Sequence, residues 1–243
     1  MSGAGSRALV TGGAVRLGRE IALSLARSGV DVCIHYGASA DAARQTLAEI
    51  REYGVQAIAV QGDFREPVSA TEQVFRAVAE EFGPIDVLIN NAAIFESGSL
   101  AETDESAWDR HLDINLKAPF FMTRQFAAQL PVEQSGAVVN IIDWRASRPV
   151  PGHAAYTIAK GGLLTMTRLL ACELAPRIRV NGVSPGAILP PPGSDEAYLE
   201  ALADQIPMER TGSPSDITDA VMFLLRSGFL TGEVVHVTGG EHL

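Results

Sequence analysis

Short β-branched runs alternate with longer amphipathic stretches along almost the whole chain, and this rhythm restricts the fold more than any single residue does. Residues 8–11, 32–36, 55–60, 87–90, 137–142, 178–183 and 234–237 read as strands. Residues 17–28, 41–53, 68–82, 105–130, 154–174 and 215–225 carry alanine and leucine at three- and four-residue intervals and read as helices. Parallel neighbours need crossover connections, and those crossovers are right-handed. The pattern therefore predicts an α/β fold: a single Rossmann-type, doubly wound domain over residues 1–243, with a mostly parallel seven-stranded sheet and helices on both faces.

The rhythm breaks once, over residues 187–212, where Pro190, Pro191, Pro192 and Pro207 surround a short charged helix-like piece, 195–205. Consecutive prolines stop both helix and ladder hydrogen bonding. The segment reads as a surface excursion after a strand end, where open α/β sheets bind ligands, and it is the expected substrate loop.

A formal net charge of −10 and a pI near 5.0, with no basic block, exclude nucleic acid and anionic membrane as expected partners. A small molecule is the expected partner. Cys33 and Cys172 each sit in an apolar run, which predicts two buried small hydrophobes and neither a disulfide nor a metal site. The start, Met-Ser-Gly-Ala-Gly-Ser-Arg, lacks the apolar core of a signal peptide, and no run has the length of a membrane span. A cytoplasmic protein is the expectation.

Two places carry chemistry. Thr11-Gly12-Gly13-Ala14-Val15-Arg16-Leu17-Gly18 follows the first strand and opens the first helix, the context in which glycines let backbone approach a pyrophosphate and aim helix N–H groups at it. The second strand ends His35-Tyr36-Gly37-Ala38-Ser39 with no carboxylate before Asp41. An acidic residue there would bind the ribose 2′-hydroxyl and repel a 2′-phosphate, whereas Arg16, His35 and Ser39 could meet one, so NADP(H) is favoured over NAD(H). At the other place, Asp143 lies thirteen residues before Tyr156, and Tyr156 four before Lys160, one of only two lysines in the chain. Positions i and i+4 share a helix face, and a compact ammonium can hold a neighbouring phenol partly ionised.

These motifs, with Asp63 after the third strand, Asn90-Asn91-Ala92 after the fourth, Asn115 in the long helix and Pro185-Gly186 after the sixth strand, resemble the short-chain dehydrogenase/reductase family from about Arg7 to Leu243. Within it, Arg16 in place of a loop glycine, Asp143 in place of the usual serine, His35-Tyr36 and Phe95 are similar to pteridine reductases and dihydromonapterin reductases. The resemblance implies a homotetramer and dinucleotide contacts from Gly12, Arg16, Leu17, Gly18, His35, Tyr36, Ser39, Asp63, Phe64, Asn90, Ala92, Tyr156, Lys160, Pro185, Gly186 and Ile188. It implies Tyr156 as proton donor, Lys160 lowering the phenol pKa and holding the nicotinamide ribose, and Asn115 holding a water that links the lysine to solvent. Arg16, Phe95, Asp143, Trp144 and Tyr156 are the implied substrate contacts.

Asp143 discriminates between substrates. An ionised carboxylate would repel the alkoxide formed from a ketone, whereas a carboxyl desolvated in an apolar cleft can donate its proton to a C=N nitrogen. The reading is an NADPH-dependent reductase of a pterin-type C=N bond. Its rivals are an NADPH carbonyl reductase of 3-oxoacyl thioesters or sugar ketones and a non-catalytic NADPH sensor. An aspartate merely paired with Arg145 or Arg148 is the structural alternative. Two departures from the family pattern stand out: Ala93 replaces a hydroxyl residue of some pteridine reductases, and Ala187-Ile188-Leu189-Pro190 lacks the hydroxyl many relatives use on the carboxamide.

Overall fold

The computed structural model describes residues 5–191, 193 and 196–243; the expected features at residues 1–4, Pro192 and Asp195 lie outside the described residues. Strands β1 (Arg7–Val10), β2 (Asp31–Tyr36), β3 (Ala57–Gln61), β4 (Val87–Asn90), β5 (Gly136–Ile141), β6 (Ile178–Pro185) and β7 (Val234–Val237) form one sheet in the order β3-β2-β1-β4-β5-β6-β7, with every pairing parallel. Strand order reverses between β1 and β4, and this switch point opens a crevice at their carboxyl ends.

Side chains alternate across each strand, so β1 feeds two cores: Ala8 and Val10 on one face, Leu9 on the other. Helices α1 (Arg16–Arg27), α2 (Ala40–Arg51) and α8 (Pro214–Arg226) cover the first face. Helices α3 (Pro67–Glu81), α5 (Ala118–Gln129) and α6 (Ala154–Leu174) cover the second. Both faces of the central strands are buried, which is why those strands read as near-continuous apolar runs.

The stretch expected as one helix over 105–130 is α-helical as α4 (Glu105–Leu112), opens into a π turn over Asp113–Lys117, and resumes as α5. Pro119 gives the physical reason. Its ring nitrogen has no hydrogen to donate to the carbonyl of Asn115 four residues back, and a wider turn relieves the clash with that carbonyl. Within the excursion, α7 (Glu196–Ala203) is the helix.

One expectation is corrected: Cys33 is buried, but Cys172 is exposed. The run Leu170-Ala171-Cys172 lies on α6, whose period turns the first two inward and the cysteine outward. No helix among the described residues is long and apolar enough to cross a membrane.

Candidate active site

The crevice at the switch point holds a cavity of about 730 Å3, a volume ordinary for small-molecule sites. One end is made of backbone. Gly12 has φ +61°, and a Cβ there would meet the Ala92 Cα at 3.0 Å; a Cβ on Gly18 would lie 2.1 Å from the Gly12 carbonyl oxygen and 2.4 Å from Asn91 Nδ2. Only glycine lets α1 seat this close to the loop, which leaves its N-terminus facing the cavity. The first turn of α1 has neither a side-chain cap nor an acidic residue. Free N–H groups and the positive end of the helix dipole suit an anionic ligand such as a pyrophosphate, so these residues fit a dinucleotide.

Arg16 stands where a glycine would be unstrained: its φ is +53°, a left-handed conformation that costs an L-residue about 1–2 kcal/mol. Its guanidinium crosses the cavity mouth and Nη2 donates to the Pro190 carbonyl at 2.6 Å. This ties the glycine loop to the excursion after β6.

His35 lines the cavity and also braces the glycine loop. Its Nδ1 accepts from the Gly12 N–H at 3.3 Å and its Nε2 faces the Gly62 carbonyl at 2.9 Å, so Nε2 carries the hydrogen. The ring is buried and stacked on Phe64 with centroids 4.2 Å apart. Burial lowers its pKa to about 4, opposed by the Gly62 carbonyl, so at neutral pH it is an uncharged strut. Tyr36 and Ser39 lie at the end of β2 outside the cavity lining, whereas Leu17, Phe64, Asp63, Ala92, Pro185, Gly186 and Ile188 line it. Asp63 is paired with Arg65, whose hydrogen bonds hold its carboxyl below the usual range.

Asn90 also departs from expectation. Its side chain points between the sheet and α5, donating to Asn140 Oδ1 at 2.9 Å and Thr123 Oγ1 at 3.2 Å, and the neighbouring Asn91 faces the cavity instead. Asn91 donates through Nδ2 to the Thr11 carbonyl at 2.9 Å, while Thr11 Oγ1 accepts from the backbone N–H groups of Asn91 and Ala92. Period-two alternation at the end of β4 carries this signal, since Asn90 falls on an inward-facing position.

The other end of the cavity is made of side chains. Asp143 follows β5, and its side chain is 16% exposed. Tyr156 Oη donates to Asp143 Oδ2 at 2.9 Å, while Oδ1 accepts from the Arg145 backbone N–H at 2.8 Å and lies 3.5 Å from Arg145 Nη1. The carboxyl is therefore turned toward the tyrosine, and the ion pair with Arg145 coexists with that contact. Burial first, then the charge and hydrogen bond of Asp143, push the Tyr156 hydroxyl well above its ordinary pKa, with Arg145 opposing. The phenol stays protonated at neutral pH.

Lys160 Nζ donates to the Ile141 carbonyl at 2.8 Å and lies 5.9 Å from the Tyr156 ring centre. Burial lowers its pKa to about 8, partly offset by Asp143. Asn115 sits in the π turn, fully buried, with both ends of its amide on one residue: Nδ2 donates to the Ile94 carbonyl at 3.0 Å and Oδ1 accepts from the Ile94 N–H at 2.9 Å. It fixes the wall that carries Phe95. Phe95 has the His153 ring stacked on it at 4.2 Å and Tyr156 edge-on at 4.8 Å. Trp144 is buried in the lining.

Glu241, near the C-terminus, also lines this end and was not expected there. Its Oε2 accepts from the Ala187 N–H at 3.0 Å, and burial raises its pKa. Nothing in the local sequence points from residue 241 to the turn after β6.

The family profile described as Enoyl-(Acyl carrier protein) reductase matches residues 13–242. The chain belongs to the short-chain dehydrogenase/reductase family and is an oxidoreductase of that family. It is 35% identical over 241 residues, 97% of this chain and 98% of the other, to the 3-oxoacyl-[acyl-carrier-protein] reductase FabG of Staphylococcus epidermidis. The crystal structure of FolM alternative dihydrofolate reductase 1 from Brucella canis, complexed with NADP, superposes with a TM-score of 0.92 at 36% identity, covering 100% of this chain and 96% of that one. A blue fluorescent protein from a metagenomic library, in complex with NADPH, gives 0.91 at 32% identity, covering 99% of each.

Proposed function

We propose that this chain is an NADPH-dependent reductase of a pterin-type C=N bond. The observation that carries the reading is the Asp143 carboxyl, largely buried and hydrogen-bonded to the Tyr156 hydroxyl in a family site that the resemblance assigns to serine. The likeness to FolM alternative dihydrofolate reductase 1 supports it.

In this reading the glycine loop and the first turn of α1 hold the pyrophosphate, and Arg16 supplies the cation for the 2′-phosphate. Asp63 meets the adenine, Pro185–Ile188 flank the nicotinamide, and Lys160 turns from the Ile141 carbonyl to the ribose. When bound, NADPH supplies a hydride to the carbon of the C=N bond. The chain must deliver one proton to the nitrogen. Tyr156 keeps that proton because burial and Asp143 disfavour tyrosinate. Asp143 shares a hydrogen bond with Tyr156, so a proton taken up by its carboxyl can pass to the nitrogen; the pair returns to phenol and carboxylate, Lys160 offsets that charge, and solvent supplies the next proton. Asn115 holds Ile94, and through it the Phe95 wall, in place. Residues 187–212 are the substrate loop of a single domain spanning residues 1–243.

A second reading, a 3-oxoacyl reductase, draws support from the likeness to FabG and from Arg145. A guanidinium 3.5 Å from Asp143 offsets its charge and weakens the repulsion of an alkoxide. Turnover of dihydropterin and acetoacetyl thioester, assayed side by side with NADPH, separates the two: dihydropterin turnover is expected, and thioester-only turnover transfers the reading to the ketone class.

Exposed apolar side chains on α4, α5 and α6, among them Trp108, Phe120, Ile158 and Leu169, support assembly through these helices into a homotetramer. Light scattering after size exclusion should give four times the mass of one chain; a monomer mass excludes it.

A further inference from the structure

Arg145 is a cation at the reacting end of the cavity that the proton path leaves unused. It lines the cavity next to Asp143, with its side chain 20% exposed. Two rings hold the guanidinium: its central carbon lies 4.8 Å from the Trp144 ring centre and 5.4 Å from that of Phe95. Such stacking fixes the guanidinium plane without using its N–H groups.

Those N–H groups are poorly satisfied. The approach of Nη1 to Asp143 Oδ1, at 3.5 Å, is longer than an N–H···O hydrogen bond, and Nε is buried with no partner among the described residues. Asp143 has little need of the guanidinium, since its oxygens already accept from the Tyr156 hydroxyl and the Arg145 backbone N–H. A buried N–H left without an acceptor is costly unless something else takes the hydrogen bond. Arg145 is thus preorganised and under-bonded beside the atoms that react.

Resting on the reading of this cavity as the reductase site, we infer that Arg145 is a specificity-determining residue that donates to a second oxygen of the substrate, one borne near the bond that is reduced. The fitting substrate class carries a second oxo oxygen within a few bonds of the one reduced: a 4-oxopteridine has such an oxygen, as does a 3-oxoacyl thioester, and an isolated ketone has none. Asp143 and Tyr156 attend to the proton, and Arg145 to the choice of substrate.

The test compares two ligands that differ at that oxygen, pterin (2-amino-4-oxopteridine) and 2,4-diaminopteridine, titrated calorimetrically into the protein saturated with NADP+. Arg145→Met, which keeps bulk against the two rings, should weaken pterin binding about 10- to 100-fold, the scale of a hydrogen bond to a charged group. It should change 2,4-diaminopteridine binding less than about threefold, and Arg145→Lys should restore part of the difference. Equal loss for both ligands would make Arg145 a prop for the rings and overturn the inference, as would no loss for either.

If the unaltered protein binds neither pteridine, the pterin reading fails and Arg145 is judged on turnover. Arg145→Met must then raise KM for acetoacetyl thioester about tenfold or more, with KM for NADPH and for a simple aliphatic ketone unchanged. No dependence on Arg145 in either substrate pair overturns the inference.

Discussion

Under β1 the cavity is shaped by backbone: Gly18 sits where any Cβ would collide, Gly12 holds a left-handed turn against Ala92, and the neutral ring of His35 braces the loop from behind. Around Asp143 the same cavity is shaped by side chains whose charges depend on one another, with Tyr156, Lys160, Arg145 and Glu241 gathered from α6, the turn after β5 and the C-terminal tail. At the first end Gly18 leaves no room for a side chain, and the buried His35 is uncharged. At the second, the charge of Asp143 bears on the protonation of Tyr156, Lys160 and Glu241. A fold can therefore keep its dinucleotide end fixed and change its chemistry at the other.

The largest expected effect lies at the side-chain end. Tyr156→Phe should lower kcat by about 10²–10⁴-fold, the usual contribution of a general acid, with NADPH affinity nearly unchanged. A loss of NADPH affinity matching the loss of rate would blur the division between the two ends.

His35 makes the next test. Its pKa is lowered in the folded chain to about 4 from an ordinary 6.5, so the unfolded chain takes up a proton first as pH falls. The stability this residue contributes is complete above about pH 6.5 and is lost progressively as pH falls toward 4, by roughly 3 kcal/mol. Urea denaturation of the parent and His35→Gln across this range should show the acid limb reduced in the variant. An identical limb would mean that the imidazole is not the buried strut described.

Gly18→Ala should cost about 1–3 kcal/mol of stability through overpacking against the Gly12 carbonyl and weaken NADPH binding, measured by thermal shift and fluorescence titration. Arg16→Gly is expected to do least to stability. Relief of about 1 kcal/mol of left-handed strain is offset by the 0.5–1 kcal/mol or so that glycine's chain entropy costs. Its NADPH affinity should nonetheless fall, since a cation leaves the cavity mouth. A stability change well above about 1 kcal/mol would show that the link to Pro190 matters more than the strain.

The same division governs what was legible in the amino-acid sequence. Strand positions, the glycine loop and the Tyr156–Lys160 pair could be read because each depends on local periodicity or on a residue type with one physical use. The π turn was legible in principle from Pro119, but apolar spacing through 105–130 conceals it. Asn90 and Asn91 differ only in which side of β4 they face, a distinction that needs the strand end fixed to one residue. The neutrality of His35 could not be read because it depends on burial against Phe64 and Gly62, both far along the chain. Glu241 and the unmet donor of Arg145 arise from long-range packing that no local pattern encodes.

The central claim is that the Asp143 carboxyl delivers a proton to nitrogen. Its most direct test is the ratio of kcat/KM for dihydropterin to that for acetoacetyl thioester, measured with NADPH for the parent and Asp143→Ser. The account predicts a parent ratio well above one that falls by about 100-fold or more on substitution, with ketone turnover maintained or improved. A ratio that is unchanged, or a parent that already prefers the thioester, would contradict it.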